Sequence, residues 1–211
     1  MQDPQISVTE DGPYVMEGRV EIVSAEGNVV STEGKGFLCR CGGSQNKPFC
    51  DGTHKKNGFS GTESADRGPI SERRDAYAGN GITIYDDRSV CAHSAECTDR
   101  LPSVWKLETE PWIDPEGAGA DPIAAAVRRC PSGALTYALG DDPATVEEDL
   151  EPGVRASKDG PYHVRGGIQV TSSEGGDYEP RNRQTLCRCG ASKNKPFCDG
   201  THWHIGFKDP A

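Results

Sequence analysis

The residues of this chain whose types and spacing could do chemistry are grouped cysteines and histidines, and the chemistry they offer is metal ligation. Cys39-Arg-Cys41-Gly-Gly-Ser-Gln-Asn-Lys-Pro-Phe-Cys50-Asp-Gly-Thr-His54 returns as Cys187-Arg-Cys189-Gly-Ala-Ser-Lys-Asn-Lys-Pro-Phe-Cys198-Asp-Gly-Thr-His202. Each copy places three thiols and one imidazole in a short loop, the donors one metal centre needs. On spacing alone a Cys3His set can hold a structural zinc ion, and nothing in the spacing excludes it. The offset between copies is 148 residues, from 39 to 187, and Asp11-Gly-Pro-Tyr14 recurs as Asp159-Gly-Pro-Tyr162 at the same offset. A module of nearly fifty residues, 11–59 and 159–207, is therefore duplicated with its ligands and aligns without a gap. The other three cysteines, Cys91, Cys97 and Cys130, fall between the copies.

Composition bounds what these groups can be. Only 34% of the 211 residues are hydrophobic, and 26 Gly with 15 Pro favour loops and short strands over a large apolar core. Small loop-rich domains need a staple, whether disulfide, metal or cofactor. Nine cysteines is an odd count, and Cys-x-Cys pairs are poorly placed to bridge each other. The stretch Met1–Glu10 has neither the basic nor the apolar region of a secretory signal, and its acidic character is unlike a transit peptide. No apolar run approaches the roughly 20 residues that span a bilayer. The expectation is a soluble cytoplasmic protein with no membrane partner, and in a reducing compartment cysteine clusters bind metal more often than they form disulfides. A formal charge of −10 leaves no basic stripe for phosphates, so no nucleic-acid partner is expected.

The elements that must position these ligands are short. Arg19-Val-Glu-Ile-Val23 and Gly167-Ile-Gln-Val-Thr171 alternate weakly, as half-buried strands do. The first two ligands of each loop lie two apart on extended chain and can share a face. The third cysteine and the histidine lie four apart, the spacing of one helical turn, with Asp51 or Asp199 placed to cap it. Segments 60–76 and 140–158, with Pro69, Pro143 and Pro152, read as linkers. Between them, Gly81-Ile-Thr-Ile-Tyr85 predicts a strand, Asp121-Pro122 an N-cap and first position for a helix over 123–129, and Ala134–Leu139 a closing strand. The expected division is 1–59, 77–139 and 159–211, joined by the two linkers.

Both repeated loops resemble the CDGSH iron–sulfur family, the mitoNEET-like proteins, whose pattern is Cys-x-Cys-x2-Ser/Thr-x3-Pro-x-Cys-Asp-Gly-Ser/Ala/Thr-His. Each copy matches at every defined position, including Ser44, Pro48, Ser192 and Pro196. The resemblance implies a [2Fe–2S] cluster per copy, on Cys39, Cys41, Cys50 and His54 and on Cys187, Cys189, Cys198 and His202. It also implies that the two modules pair about a pseudo-twofold axis, as homodimers of this family do, giving a monomer with an internal pseudo-dimer. Replacing one thiolate by imidazole should place the potential between about −400 mV for all-thiolate plant-type clusters and the roughly −150 to +300 mV of Rieske centres. Imidazole also titrates near neutrality, which couples reduction to protonation. The two sites need not match, since His54 is followed by Lys55 and Lys56, and His202 by Trp203 and His204. His204 reads as a surface residue and Trp203 as a packing residue.

Cys91-Ala-His-Ser-Ala-Glu-Cys97 with Cys130-Pro131 resembles the binding motif of bacterial single-cluster ferredoxins, Cys-x2-Cys-x2-Cys with a distant Cys-Pro. Ser94 stands where the second cysteine would be. The likeness is closer to [3Fe–4S] ferredoxins and to a divergent ferredoxin family with this gapped spacing, and Pro111-Trp-Ile113 and Cys130-Pro-Ser-Gly-Ala-Leu135 strengthen it. It implies a [3Fe–4S] or [4Fe–4S] cluster on Cys91, Cys97 and Cys130, with His93 or Ser94 as a candidate fourth ligand. The whole is thus expected to be an α+β, loop-rich protein: two small β-rich modules and a ferredoxin-like α+β insert hinged beside them. No catalytic triad, phosphate-cradling loop or nucleotide fingerprint accompanies the ligands. The expected function is electron transfer with a redox partner protein. Alternatives are cluster donation to an apo-acceptor, redox or pH sensing, a subunit feeding electrons to an enzyme, and structural zinc binding.

Overall fold

The computed structural model describes residues 3–32, 34–140 and 142–209. The first module contributes β1 (Gln5–Val8), β2 (Tyr14–Glu17), β3 (Val20–Val23), β4 (Val29–Thr32) and β5 (Lys35–Leu38). The central part holds α1 (Ile70–Arg73), β6 (Asp75–Ala78), β7 (Ile82–Asp86), α2 (Glu96–Arg100), α3 (Ala120–Arg128) and β8 (Leu135–Leu139). The second module adds β9 (Gly153–Ala156), β10 (Tyr162–Arg165), β11 (Gln169–Thr171), β12 (Arg183–Leu186) and α4 (Thr201–His204). The molecule is α+β with more strand than helix, as expected.

The two modules exchange strands. One sheet runs β11-β1-β2-β5 and the other β12-β10-β9-β3-β4. Parallel pairs join them: Ile6 opposite Val170 and Ile22 opposite Val154. β1 and β9 are themselves counterparts at the 148-residue offset, so the repeat begins upstream of Asp11 and Asp159. Ile6, Tyr14, Met16, Ile22, Val154, Tyr162, Val164 and Val170 are all buried where the sheets face each other. Alternation along the strands places them there: β1 and β5 bury every second residue, because successive side chains point to opposite faces.

The central part is an antiparallel sheet in the order β6-β7-β8, with α3 packed on β8. α3 buries Ile123, Ala124, Ala126 and Val127, the apolar stripe of an amphipathic helix. Its cap is Gly119, with Asp121 and Pro122 inside the first turn, two residues earlier than the sequence indicated. Pro122 is tolerated there because the first four helical N–H groups have no partner within the helix.

The segments expected as linkers carry structure. Segment 140–158 contains β9, and 60–76 contains α1 and the start of β6. Ser64 N and Ala65 N donate to Lys195 O at 2.9 and 3.1 Å, and Val146 N donates to Tyr137 O at 2.8 Å. The central part is therefore docked rather than hinged. Arg183 of β12 reaches into it, donating to Val127 O (2.7 Å), Cys130 O (2.8 Å) and Leu135 O (3.2 Å). Arg181 donates to Gly133 O and forms a buried ion pair with Asp87. Among the described residues no helix is long and apolar enough to cross a membrane.

Candidate metal centres

Each repeated loop leaves its module on a strand and folds back on itself. Cys39 follows β5, and its N–H donates to Pro48 O at 2.8 Å; Cys187 follows β12 and does the same with Pro196 O. Two side chains lock each loop. Ser44 Oγ donates to Phe49 O while accepting from Asn46 N, as Ser192 does with Phe197 O and Asn194 N. Asp51 accepts from Gln45 N and Thr53 N, and Asp199 from Lys193 N and Thr201 N. Those backbone donors hold the Asp51 carboxyl down at about 2. The aspartate of the motif thus spans the loop as well as starting the turn that bears the histidine.

The ligands sort into two pairs per loop. Cys39 Sγ and Cys41 Sγ are 4.0 Å apart, and Cys50 Sγ and His54 Nδ1 are 3.4 Å apart. In the second loop the values are 3.8 and 3.4 Å. Backbone N–H groups of Gly43, Gly52 and Gly200 point at ligand sulfurs at 3.4 to 3.5 Å. Burial pushes the Cys39 thiol up to about 11 and the Cys198 thiol up to about 12, and a bound cation, by stabilising the thiolate, would favour release of those protons to solvent. Cys91 is among the lesser charges that raise Cys198.

The loops meet at the centre of the pseudo-dimer. Cys41 and Cys189, equivalent by the repeat, pair with each other as an isolated antiparallel bridge. Tyr14 Oη donates to Cys187 O and Pro196 O, both at 2.9 Å; Tyr162 Oη donates to Cys39 O and Pro48 O at 2.9 and 2.8 Å. Each module's tyrosine therefore supports the other module's ligand loop. Burial raises both phenols well above their ordinary value, keeping them donors. Arg40 and Arg188, the residues between the first two ligands, are buried beneath the loops. Arg40 donates to Thr9 O and Gly61 O, whereas Arg188 pairs with Asp209 at 2.5 Å and donates to Gly160 O and Ser157 O. The sequence showed these tyrosines and arginines repeated but carried no sign of what they touch.

Cys91, Cys97 and Cys130 line one cavity of about 260 Å3, together with Asp86, Arg88, Ser94 and Trp112. A short turn before Cys91, the helix α2 and the end of α3 deliver them. Arg88 stacks over Trp112 at 3.8 Å and donates to Cys91 Sγ at 3.7 Å. Ser132 Oγ lies 3.6 Å from Cys130 Sγ. Burial, then the charge of Cys130, raises Cys97 to about 11. The cavity is several times the roughly 30 Å3 share of one water, room for a polynuclear centre. His93 lines it too, but is exposed, and its Cβ and Cδ2 pack against Gly200 of the second module.

The two histidine sites are not equivalent. His202 is buried while His54 is half-buried, and Cys198 is buried while Cys50 is half-buried. Trp203, expected to pack, is 63% exposed and lies tilted against the His202 ring at 4.7 Å. His204, Lys55 and Lys56 are exposed.

All three donor sets fit iron–sulfur ligation. They are built from thiols and imidazole, with N–H groups aimed at sulfur in the repeated loops. Among the described residues no three His, Cys, Asp or Glu side chains converge as a single ion requires. Fold and sites together define an iron–sulfur protein. The family model described as "Iron-binding zinc finger CDGSH type" matches residues 11–55 and 159–203, and "Divergent 4Fe-4S mono-cluster" matches 77–140. The chain therefore carries two CDGSH-type iron-binding domains flanking a divergent single-cluster domain. "Uncharacterized protein YjdI" of Escherichia coli strain K12 is 33% identical over 61 residues, covering 29% of this chain and 80% of that protein. Its counterpart in strain O157:H7 gives the same figures. No solved structure matches.

Proposed function

We propose that this protein is a small electron carrier, not itself an enzyme. In this reading Cys39, Cys41, Cys50 and His54, and likewise Cys187, Cys189, Cys198 and His202, each hold a [2Fe–2S] cluster. Cys91, Cys97 and Cys130 hold a [3Fe–4S] or [4Fe–4S] cluster, with His93 as the candidate fourth ligand. The observation that carries the assignment is the pairing of ligands: 4.0 and 3.4 Å in one loop, 3.8 and 3.4 Å in the other. Two pairs suit two irons, and among the described residues no three His, Cys, Asp or Glu side chains converge as a single tetrahedral zinc would require. Electron carriage is supported by rigidity. The Ser44–Asp51 and Ser192–Asp199 locks fix the ligand loops before any charge arrives, so little rearranges when it does. The partner is a redox protein of the cytoplasm, and the protein works as a monomer with an internal pseudo-dimer.

Iron and sulfide counts with Mössbauer spectra on anaerobically purified protein test the cluster types. Colourless protein that contains zinc would overturn the reading. Repeated reduction and oxidation without loss of absorbance tests the carrier role. A second reading, cluster donation or sensing, is favoured by the half-buried His54 beside exposed Lys55 and Lys56. A donor would lose the His54-ligated cluster to an apo-acceptor, and His54→Cys would block that loss.

A further inference from the structure

Among the described residues, the central part makes its close contacts with the second of the two ligand loops. Gly200 and Gly52 occupy the same motif position with the same left-handed backbone, φ 82° and 85°. A Cβ at Gly52 would meet nothing within 4 Å, whereas one at Gly200 would lie 3.2 Å from His93 Cβ and 3.4 Å from Ala92 O. Asn194 Nδ2 donates to Ser89 O at 2.6 Å; its counterpart Asn46 is exposed. The seam is a pocket of about 150 Å3 between Ala92, Ser94 and Pro131 on one side and Gly160, His202 and Trp203 on the other. Ala92 and Ser94 lie in the loop that begins with ligand Cys91, and Pro131 follows ligand Cys130. The docking is set one layer down by Arg183, whose counterpart Lys35 is exposed and pairs with Glu17 at the surface.

We propose that the contact of residues 89–95 with 194–203 couples the central thiol site to the second CDGSH site for one-electron exchange, leaving the first CDGSH site as the outward-facing terminal. The inference rests on the iron–sulfur reading above and adds a pairing to it. In one exchange the donor centre is oxidised by one electron and the acceptor centre reduced by one, with no bond formed or broken between them. The two histidine sites thereby have different jobs: the buried one communicates inward and the half-buried one with an external one-electron donor or acceptor protein.

The test is pulsed EPR on the full-length protein, partly reduced with dithionite so that the central site is paramagnetic. Two histidine-ligated signals are expected, one relaxing several-fold faster than the other. His202→Cys shifts the fast signal and His54→Cys the slow one. Asn194→Ala and Gly200→Ala reduce the difference, while Asn46→Ala, at the exposed counterpart of Asn194, preserves it. Asn194→Ala alone decides the matter should Gly200→Ala fold poorly. Equal relaxation, or a fast signal that moves with His54→Cys, overturns the coupling while leaving reversible electron transfer standing. Absence of iron and sulfide overturns both.

Discussion

Arg188 and Asp209 show how a single side chain sets the cost of a buried ligand loop. Burial pushes the Asp209 carboxyl up, but the Arg188 guanidinium and the Asp159 backbone outweigh it and hold it below its ordinary value. The unfolded chain then binds more protons than the folded one. The stabilisation is complete above the ordinary carboxylate range and is lost as pH falls through the lowered value. Asp209→Asn leaves Arg188 buried without its counter-charge, an expected loss of about 3 kcal/mol at pH 7. The gap in melting temperature between wild type and variant should close on acidification towards pH 3; a gap that stays constant would contradict the linkage. Tyr14 is the other residue of this kind. Tyr14→Phe leaves the Cys187 and Pro196 carbonyls without that donor, an expected cost of about 1–3 kcal/mol. Its spectroscopic effect should fall on the second module's site, and that of Tyr162→Phe on the first, read by visible circular dichroism.

At the scale of elements, the tight crossing of the two ligand loops demands glycine. Gly42 has φ 76°, and a Cβ there would lie 2.6 Å from the Cys189 backbone oxygen; Gly190 meets Cys41 O at 2.8 Å. Neither backbone can yield without moving a ligand. Gly27 has a similar φ of 86° and open space around it. Gly27→Ala should cost only the left-handed penalty of about 1–2 kcal/mol. Gly42→Ala should cost more and lower cluster content at both loops, measured by iron and sulfide analysis. The strand β12 has a comparable role towards the central part. Arg183→Met removes donors from Val127, Cys130 and Leu135 carbonyls, and amide exchange across 127–135 should accelerate by one to two orders of magnitude, for a loss of about 2–3 kcal/mol of local stability.

At the scale of the whole molecule, strand exchange makes the modules interdependent. The first module alone lacks β11 beside β1, and its β3–β4 hairpin has no β9 to pair with. A fragment of residues 1–62 should therefore self-associate, one copy supplying the other's missing strands, or remain unfolded; a folded monomer by light scattering would contradict this. The intact chain carries both halves, so its melting temperature should not depend on concentration. A single apolar core runs from Ile6 and Val170 through to Trp105, Ile123 and Tyr137, which ties the central part into the same body.

The sequence by itself singled out the candidate ligands and their division into three groups, because a metal loop needs fixed residue types at fixed spacings within a few turns of chain. The strands β3, β7 and β11 were legible for a similar reason: local alternation records which face is buried. It did not reveal the upstream start of the repeat, since Gln5–Val8 and Gly153–Ala156 both bury their second and fourth residues but are identical at no position. Only the tertiary structure decided that β1 pairs with β11 and β9 with β3. Modules built on one repeat offer equivalent edges, so a strand's own residues cannot say which copy it joins. It also decided that the central part sits on the second module, because the arginines that hold it there look like surface charges until their buried carbonyl partners come into place. The repeated motif reads as two equal sites; packing made them unequal.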